Sequence, residues 1–264
     1  MLVGLLLSFF PPETATQVAD PALDEISGLV VSDALGVLWV LEDSGGRPAL
    51  YALDPTTGQT VGTLRVEGAR NVDWEDLTRG PCHDAEGMCL WIGEFGDNAR
   101  ARRDTAILRV REPAAIAPDM SAPHERYAFS WPSGPENAEG LVIGDQGLPW
   151  VVSKRVGAAV VAALPRLDPA AVVTLTPRFE VDIGPRRQVT GAARGADGGL
   201  FLRTYDTLLF VDPAAGGVAK ARPVALPAPL EGQGETVAVD PRDGALWFIS
   251  EGVRPAVWRM PRAR

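Results

Sequence analysis

The stretch DWEDLTRG (Asp73–Gly80), followed by CLWIGEF (Cys89–Phe95) and AILRV (Ala106–Val110), contains the unit that decides the fold. Each segment is a short apolar run, and Gly, Pro and Asp residues separate it from the next one. Such runs are typical of β-strands joined by turns, and helical periodicity is scarce along the chain. The sequence therefore predicts an all-β protein.

The same order of segments recurs five times. The first strands of the five units are EISGLVVS (Glu25–Ser32), DWEDLTRG (Asp73–Gly80), NAEGLVIG (Asn137–Gly144), QVTGAARG (Gln188–Gly195) and QGETVAVD (Gln233–Asp240). Four of the second strands carry a tryptophan at the same place, namely Trp39, Trp91, Trp150 and Trp247. Repeats of about 45–50 residues with four strands each are typical of a β-propeller. We interpret the tryptophans as core between blades.

The predicted fold is a single β-propeller over residues 21–264 with five four-stranded blades, and six blades is the alternative. The last unit runs out of chain after its third strand, so we expect residues 14–19 to supply the missing strand and close the ring. The chain also opens with an apolar run, Leu2–Phe10, which has the length of a signal-peptide core and is too short to span a bilayer. Residues 1–20 are therefore expected to contain a signal remnant or the closing strand.

The two cysteines, Cys82 and Cys89, lie in the segment GPCHDAEGMCLW. A zinc site needs four ligands, and His83 is the only other candidate nearby. Two cysteines that close a short hairpin loop favour a structural disulfide. Together with the apolar N-terminus, this predicts a secreted or periplasmic protein.

Polar residues recur at the start of the five first strands. In a propeller these strands line the central channel, so residues at the first and third positions are expected to meet at its mouth. The first positions are Glu25, Asp73, Asn137, Gln188 and Gln233, and the third positions are Ser27, Glu75, Glu139, Thr190 and Glu235. Crowded carboxylates repel one another unless protons or a cation intervene, and hard oxygen ligands suit Ca²⁺. We predict a calcium site formed by Glu25, Asp73, Glu75, Asn137, Glu139 and Glu235.

The ends of the second strands are expected to reach the same mouth. They supply a predicted set of ligand-binding residues, Asp43, Asp97, Asn98, Lys154, Arg203, Tyr205 and Glu251. The alternative is a hydrogen-bonded, water-filled channel in which Lys154 and Arg203 neutralise the acids without a metal. We interpret Asp76, which stands where the other units have Gly or Thr, as a local residue.

Several function classes are disfavoured by the sequence. The net charge of −9 argues against a nucleic-acid partner. With His83 and His124 as the only histidines, a Ser–His–acid triad has few candidates, and neither a nucleophile elbow nor a phosphate-binding loop motif occurs. No segment has the length of a transmembrane helix, and we expect a monomer.

The motifs resemble a group of bacterial, mostly exported β-propeller proteins. The resemblance rests on ISGL, DSGG followed by LYALD, DWEDLT, CLWIGEFGDN, NAEGL, VTGA followed by LRTY, and GETVAV followed by SEG. More loosely, the chain is similar to the esterase-like phytase propellers and other calcium-associated propellers. This resemblance implies the propeller fold and an association with calcium, whereas fold alone does not fix a reaction.

Three functional hypotheses follow. The first is an exported propeller whose acidic channel mouth binds calcium and a small polar ligand. The second is a metal-dependent phosphoester or ester hydrolase in which Glu75, Glu139 or Glu235 hold the metal while Lys154 and Arg203 bind the anion. The third is a protein-interaction scaffold with a purely structural channel.

Overall fold

A computed structural model describes residues 8–84, 86–213, 217–224 and 233–263. Most of the apolar run at the N-terminus, residues 2–7, lies outside the described residues. In chain order the strands are β1 (Glu13–Gln17), β2 (Ile26–Ser32), β3 (Val37–Glu42), β4 (Ala49–Leu53), β5 (Thr60–Val66), β6 (Trp74–Pro81), β7 (Met88–Glu94), β8 (Ala106–Arg111), β9 (Asp119–Ala122), β10 (His124–Ser130), β11 (Ala138–Ile143), β12 (Pro149–Ser153), β13 (Ala158–Ala163), β14 (Val173–Thr174), β15 (Thr176–Asp182), β16 (Val189–Arg194), β17 (Leu200–Thr204), β18 (Leu208–Val211), β19 (Val218–Lys220), β20 (Arg222–Val224), β21 (Ala238–Val239), β22 (Leu246–Ile249) and β23 (Ala256–Met260). One 3₁₀ turn spans Asp145–Gly147.

The strands form five sheets, which are the blades of a propeller. From the inside outward the blades are β2-β3-β4-β5, β6-β7-β8-β10, β11-β12-β13-β15, β16-β17-β18-β20 and β21-β22-β23-β1. The innermost strands β2, β6, β11, β16 and β21 contact one another in that order, and β21 returns to β2. The prediction of an all-β, five-bladed propeller is confirmed, and the six-bladed alternative is wrong.

Three blades carry a short fifth strand that the sequence did not predict. β9, β14 and β19 pair in parallel with the outer strands β5, β10 and β15. Each of them directly precedes the outer strand of the following blade, so it ties neighbouring blades together at the rim. These strands contain two to four residues, which is too short for an alternating pattern to show.

The ring is closed by the N-terminal strand, as predicted. β1 pairs with β23 in antiparallel register from Glu13 opposite Arg259 to Gln17 opposite Ala256. The pairing continues on both sides of β1, because Phe10 N donates to Pro261 O (2.9 Å) and Val18 N donates to Pro255 O (2.9 Å). Residues 13–17 are thus the fourth strand of the last blade.

The core lies between the blades, and the recurrent tryptophans belong to it. Trp39, Trp91, Trp150 and Trp247 are all buried. The predicted disulfide joins Cys82 and Cys89 across the β6–β7 hairpin, and both residues are buried. Among the described residues, no helix is long and apolar enough to cross a membrane.

Removing residues 1–17 deletes the strand that closes the ring and exposes the edge of β23. Because the deletion also unpairs β23 and uncovers the buried residue Val18, we expect the melting temperature to fall by about 10 °C or more. Differential scanning calorimetry measures the shift against a chain that lacks only residues 1–7. Equal melting temperatures for the two chains would contradict closure by β1.

Candidate cation site at the channel mouth

A β-bulge lies near the start of the inner strands and directs the third-position side chains into the channel mouth. The register shifts between Ile26 and Gly28, between Trp74 and Asp76, between Ala138 and Gly140, and between Val189 and Gly191. The extra residues are therefore Ser27, Glu75, Glu139 and Thr190. Bulges re-aim side chains and are common beside functional sites. All four residues are buried.

The fifth blade follows the same pattern. Gly234 pairs with Ser250, and Thr236 N donates to Ile249 O (3.2 Å), so Glu235 lies between the two contacts. Glu235 is buried like its counterparts. Three carboxylates, those of Glu75, Glu139 and Glu235, thus occupy equivalent positions around one channel.

Close packing of the inner strands explains the glycine that follows the bulge in three blades. A Cβ atom on Gly28 would lie 2.8 Å from Leu77 N, and one on Gly140 would lie 2.8 Å from the Cβ of Ala192. A Cβ atom on Gly191 would lie 2.4 Å from Glu235 O. Neighbouring inner strands therefore approach too closely for a side chain at this position.

The second blade has Asp76 at this position, and its carboxylate connects three blades. Oδ1 accepts a hydrogen bond from Leu77 N (2.8 Å), and Oδ2 accepts from Leu141 N (2.7 Å) in the third blade and Ala192 N (3.2 Å) in the fourth. The side chain is completely buried, and burial raises its pKa well above the usual value although the three N–H donors act in the opposite direction. The interpretation of Asp76 as a local residue is wrong, because its side chain reaches across the channel.

Three acidic residues, Asp43, Asp73 and Glu75, are arranged so that they could hold one metal ion. Each of them offers one carboxylate oxygen, and these oxygens all lie within 4.8 Å of one another. Asp43 follows β3 of the first blade, whereas Asp73 and Glu75 lie at the start of the second. We call these three residues the acidic trio.

Burial and mutual repulsion make the trio hard to ionise. Burial, followed by the neighbouring charge of Asp43, raises the pKa of Asp73 to about 6. The pKa of Glu75 is raised well above its usual value by burial and then by Glu139, Asp43 and Asp73. Burial also raises the pKa of Asp43. A proton or a cation is therefore needed to hold these carboxylates together.

Lys154 directly follows β12 of the third blade. Its ammonium group donates a hydrogen bond to Glu139 and lies 5.3 Å from the centre of the Tyr205 ring. Burial acts to lower the pKa of Lys154, but the Glu139 carboxylate outweighs burial and raises it. The pKa of Glu139 is nevertheless raised to about 7 by burial. One lysine is thus too little positive charge to keep the surrounding acids ionised.

The fourth and fifth blades add Glu235, Glu251 and Arg203. Burial and then the charge of Glu139 raise the pKa of Glu235 to about 8. The side-chain amide of Gln233 donates to both Glu235 (3.1 Å) and Glu251 (2.7 Å). Arg203 is buried, and its guanidinium group occupies the space that a side chain on Gly234 would need.

The loop between β7 and β8 is held beside the trio by three predicted ligand residues. The Asp97 carboxylate accepts hydrogen bonds from Ala101 N (2.8 Å) and Arg102 N (2.8 Å). Asp97 N donates to Asn137 Oδ1 (2.7 Å), and Asn137 Nδ2 donates to Asn98 Oδ1 (3.0 Å). The structure thus places Asp97, Asn98 and Asn137 in a network that fixes this loop against the third blade.

Arg102 is a residue that the sequence does not mark as part of the site, and together with Glu94 it supports the trio through Asp73. Arg102 Nη2 donates to Glu94 Oε1 (2.6 Å), and the Glu94 carboxylate accepts hydrogen bonds from Val72 N (3.1 Å) and Asp73 N (3.3 Å). The acidic ends of the second strands were a signal for Glu94, but no repeat marks Arg102. Of the predicted metal ligands, Glu25 is exposed, and its carbonyl accepts a hydrogen bond from Asp43 N (2.9 Å), but its carboxylate lies beside Glu42 and Glu251 and is not part of the trio.

The fold and the mouth together define a five-bladed propeller with an acidic channel entrance. Similar solved structures include the glutaminyl cyclase of Myxococcus xanthus, with a TM-score of 0.55 and 15% identity over 98% of this chain and 99% of that chain. The PQQ-bound aldose sugar dehydrogenase of Streptomyces coelicolor has a TM-score of 0.54 and 14% identity, over 96% of this chain and 98% of that chain. The gluconolactonase of Xanthomonas campestris has a TM-score of 0.51 and 14% identity, over 97% of this chain and 96% of that chain. No model of a protein family matches the sequence, and no curated protein matches it.

These structures are enzymes, and at such low identity the likeness shows the fold alone. None of these three structures is a phytase propeller. What the mouth does therefore depends on its own residues.

The substitution Asp76→Ala should destabilise the protein strongly. It leaves the N–H groups of Leu77, Leu141 and Ala192 without their acceptor inside the channel, at a cost of about 3 kcal/mol or more. Urea unfolding measures the loss, and Asp33→Ala, which removes an ion pair with Arg79 at the surface, is the control and should cost less than about 0.5 kcal/mol. A loss below about 1 kcal/mol for Asp76→Ala would contradict the role of this carboxylate.

Without divalent cations, stability should decrease as the pH rises from 5 to 8. The pKa values of Asp73, Glu139 and Glu235 are about 6, 7 and 8 in the folded protein, which exceeds the usual values, so the folded state holds more protons than the unfolded state. Thermal melting in chelator should show a fall of several degrees over this range. Glu235→Gln should reduce the fall in melting temperature between pH 7 and 8. A melting temperature that rises with pH would refute the raised pKa values of these carboxyl groups.

Proposed function

We propose that the channel mouth binds a divalent cation, calcium, between Asp43, Asp73 and Glu75. The observation that carries the proposal is the trio itself, in which three partly or fully buried carboxylates from two blades have oxygens within 4.8 Å of one another. Oxygen atoms within this distance of one another can bind a single calcium ion at calcium–oxygen distances of about 2.4 Å. The chemistry of the donor set, oxygen only, also suits calcium.

Electrostatics supports a cation rather than an empty channel. The alternative in which Lys154 and Arg203 neutralise the acids leaves Asp73, Glu139 and Glu235 with pKa values between about 6 and 8. These values describe carboxylates that lack a sufficient counter-charge. Burial raises these pKa values most, and repulsion adds to it for Asp73 and Glu235; a bound cation would supply the missing charge and offset both effects.

A small polar ligand would lie beside the cation, on the side of the third and fourth blades. Lys154 and Tyr205 are in contact there, and Tyr205 is the exposed member of the pair. Hydroxyl or carbonyl groups of such a ligand would complete the coordination of calcium, which takes six to eight oxygen ligands. Turnover of a phosphoester or ester and docking of a protein partner stay predictions, since the geometry of the described residues favours neither.

The same proposal places the protein outside the cytoplasm. The disulfide between Cys82 and Cys89 supports this location, because disulfides persist in secreted and periplasmic proteins. Calcium is also abundant enough there to fill a site of moderate affinity, in the range of extracellular calcium modules.

Adding calcium to chelator-treated protein should raise the melting temperature by about 5–10 °C at one hundred times the dissociation constant. Glu75→Gln should abolish the shift, because it removes the buried carboxylate of the trio. Isothermal titration calorimetry measures the affinity directly, with Glu251→Gln as the control at the same mouth but outside the trio. Wild-type protein that binds no calcium in the titration would refute the proposal.

A further inference from the structure

We infer that Gly96 is a positioning residue of the channel-mouth site, because its missing side chain leaves the Glu75 and Asp73 carboxylates in place for the cation. This inference rests on the proposed function. Gly96 lies in the loop between β7 and β8, directly after the buried residue Phe95. It is not a ligand itself, and it acts through the two carboxylates that contact it.

The space beside Gly96 is filled by carboxylates. A Cβ atom on Gly96 would lie 2.1 Å from Glu75 Oε1, 2.4 Å from Asp73 Cγ and 2.5 Å from Asp73 Oδ2. Ordinary contacts between nonbonded carbon and other heavy atoms lie near 3.5 Å. A single methyl group would therefore displace both side chains by roughly 1 Å.

Backbone conformation does not explain the glycine. Gly96 is not among the described residues that have a positive φ angle, so its φ angle is accessible to alanine. The reason for a glycine is then the close approach of the carboxylates and not the backbone. In this respect Gly96 differs from Gly45 at the same face, where φ is +75° and a Cβ atom would meet nothing within 4 Å.

The loop cannot move away to make room for a side chain. Gly96 N donates to Asp73 O (3.1 Å), and Gly96 O accepts a hydrogen bond from Arg102 Nη1 (2.8 Å). The next residue, Asp97, is held by Asn137 and by two backbone N–H groups. The carboxylates of Glu75 and Asp73 must therefore yield instead, and the oxygen cage of the cation is lost.

The test is the calcium affinity of Gly96→Ala, measured by isothermal titration calorimetry on the full chain. We expect a loss of at least tenfold, with the melting temperature in chelator lowered by less than the calcium shift of the wild type. Ala99→Ser adds one atom to an exposed position of the same loop and should leave the affinity within about twofold.

A second variant separates positioning from a general structural effect. Glu75→Asp shortens the nearer of the two side chains that the new methyl group would meet, so it should lower the affinity in the wild type but raise it in the Gly96→Ala background, where the contact with Asp73 remains. This reversal also keeps the test open if Gly96→Ala alone folds poorly, since the double variant relieves the closest collision, the one with Glu75 Oε1.

The outcomes are distinct. Wild-type protein without calcium binding refutes the proposed function and the inference together. Calcium binding by the wild type, with equal affinity in Gly96→Ala or with no reversal by Glu75→Asp, refutes the inference alone.

Discussion

The Asp76 carboxylate inside the channel is the interaction on which the arrangement of the inner strands depends. A propeller with a narrow channel brings the backbones of its innermost strands together, and in three blades a glycine at this position permits the approach. In the second blade Asp76 stands at the position of that glycine, and its carboxylate accepts hydrogen bonds from Leu141 N and Ala192 N across the ring. One side chain thereby fixes the second, third and fourth blades relative to one another.

This arrangement also determines where the mouth residues lie. The bulge residue of β6 is Glu75, which directly precedes Asp76 in the sequence, so the residue that faces the mouth and the residue that ties the blades together are neighbours. The corresponding bulge in β11 places Glu139 opposite Lys154. Because the bulges lie at equivalent positions, buried acids accumulate at one end of the channel. The repulsion between these acids is therefore a consequence of the fold, whereas the identity of the positive charge that relieves it bears on the function of the protein.

Much of the fold was predictable from the sequence because the repeat is strong. The five first strands, the tryptophan of the second strands and the missing fourth strand of the last unit gave the blade number and the closure by β1. The bulges were not predictable, since one extra residue does not disturb the apolar pattern visibly. The short rim strands β9, β14 and β19 were missed because pairing between blades has no local signature.

The types of residue at the candidate site were predictable from the sequence, but which of these residues contact one another was not. The repeat places Glu25, Asp73, Glu75, Asn137, Glu139 and Glu235 in one set, whereas the structure adds Asp43 to Asp73 and Glu75 and pairs Glu139, which lies beside Glu75, with Lys154. Asp76 was misjudged because a departure from a repeat looks local until the opposite blades are in place. The distances across a ring depend on all five blades at once, and no single unit encodes them.

Charge at the mouth is distributed unevenly around the axis, and this asymmetry limits what it can bind. The first two blades supply the acidic trio, whereas the third supplies both Glu139 and Lys154, and the fourth supplies Arg203. An anion without a metal ion would be repelled by the acidic residues, and an organic cation would be repelled by Lys154. Under the proposed function, a metal ion on the acidic side would change this balance, because it would turn the acidic part of the mouth into one that accepts oxygen atoms. Lys154 and Arg203 would then face the same ligand, so recognition of an oxygen-rich molecule would depend on the cation being bound first.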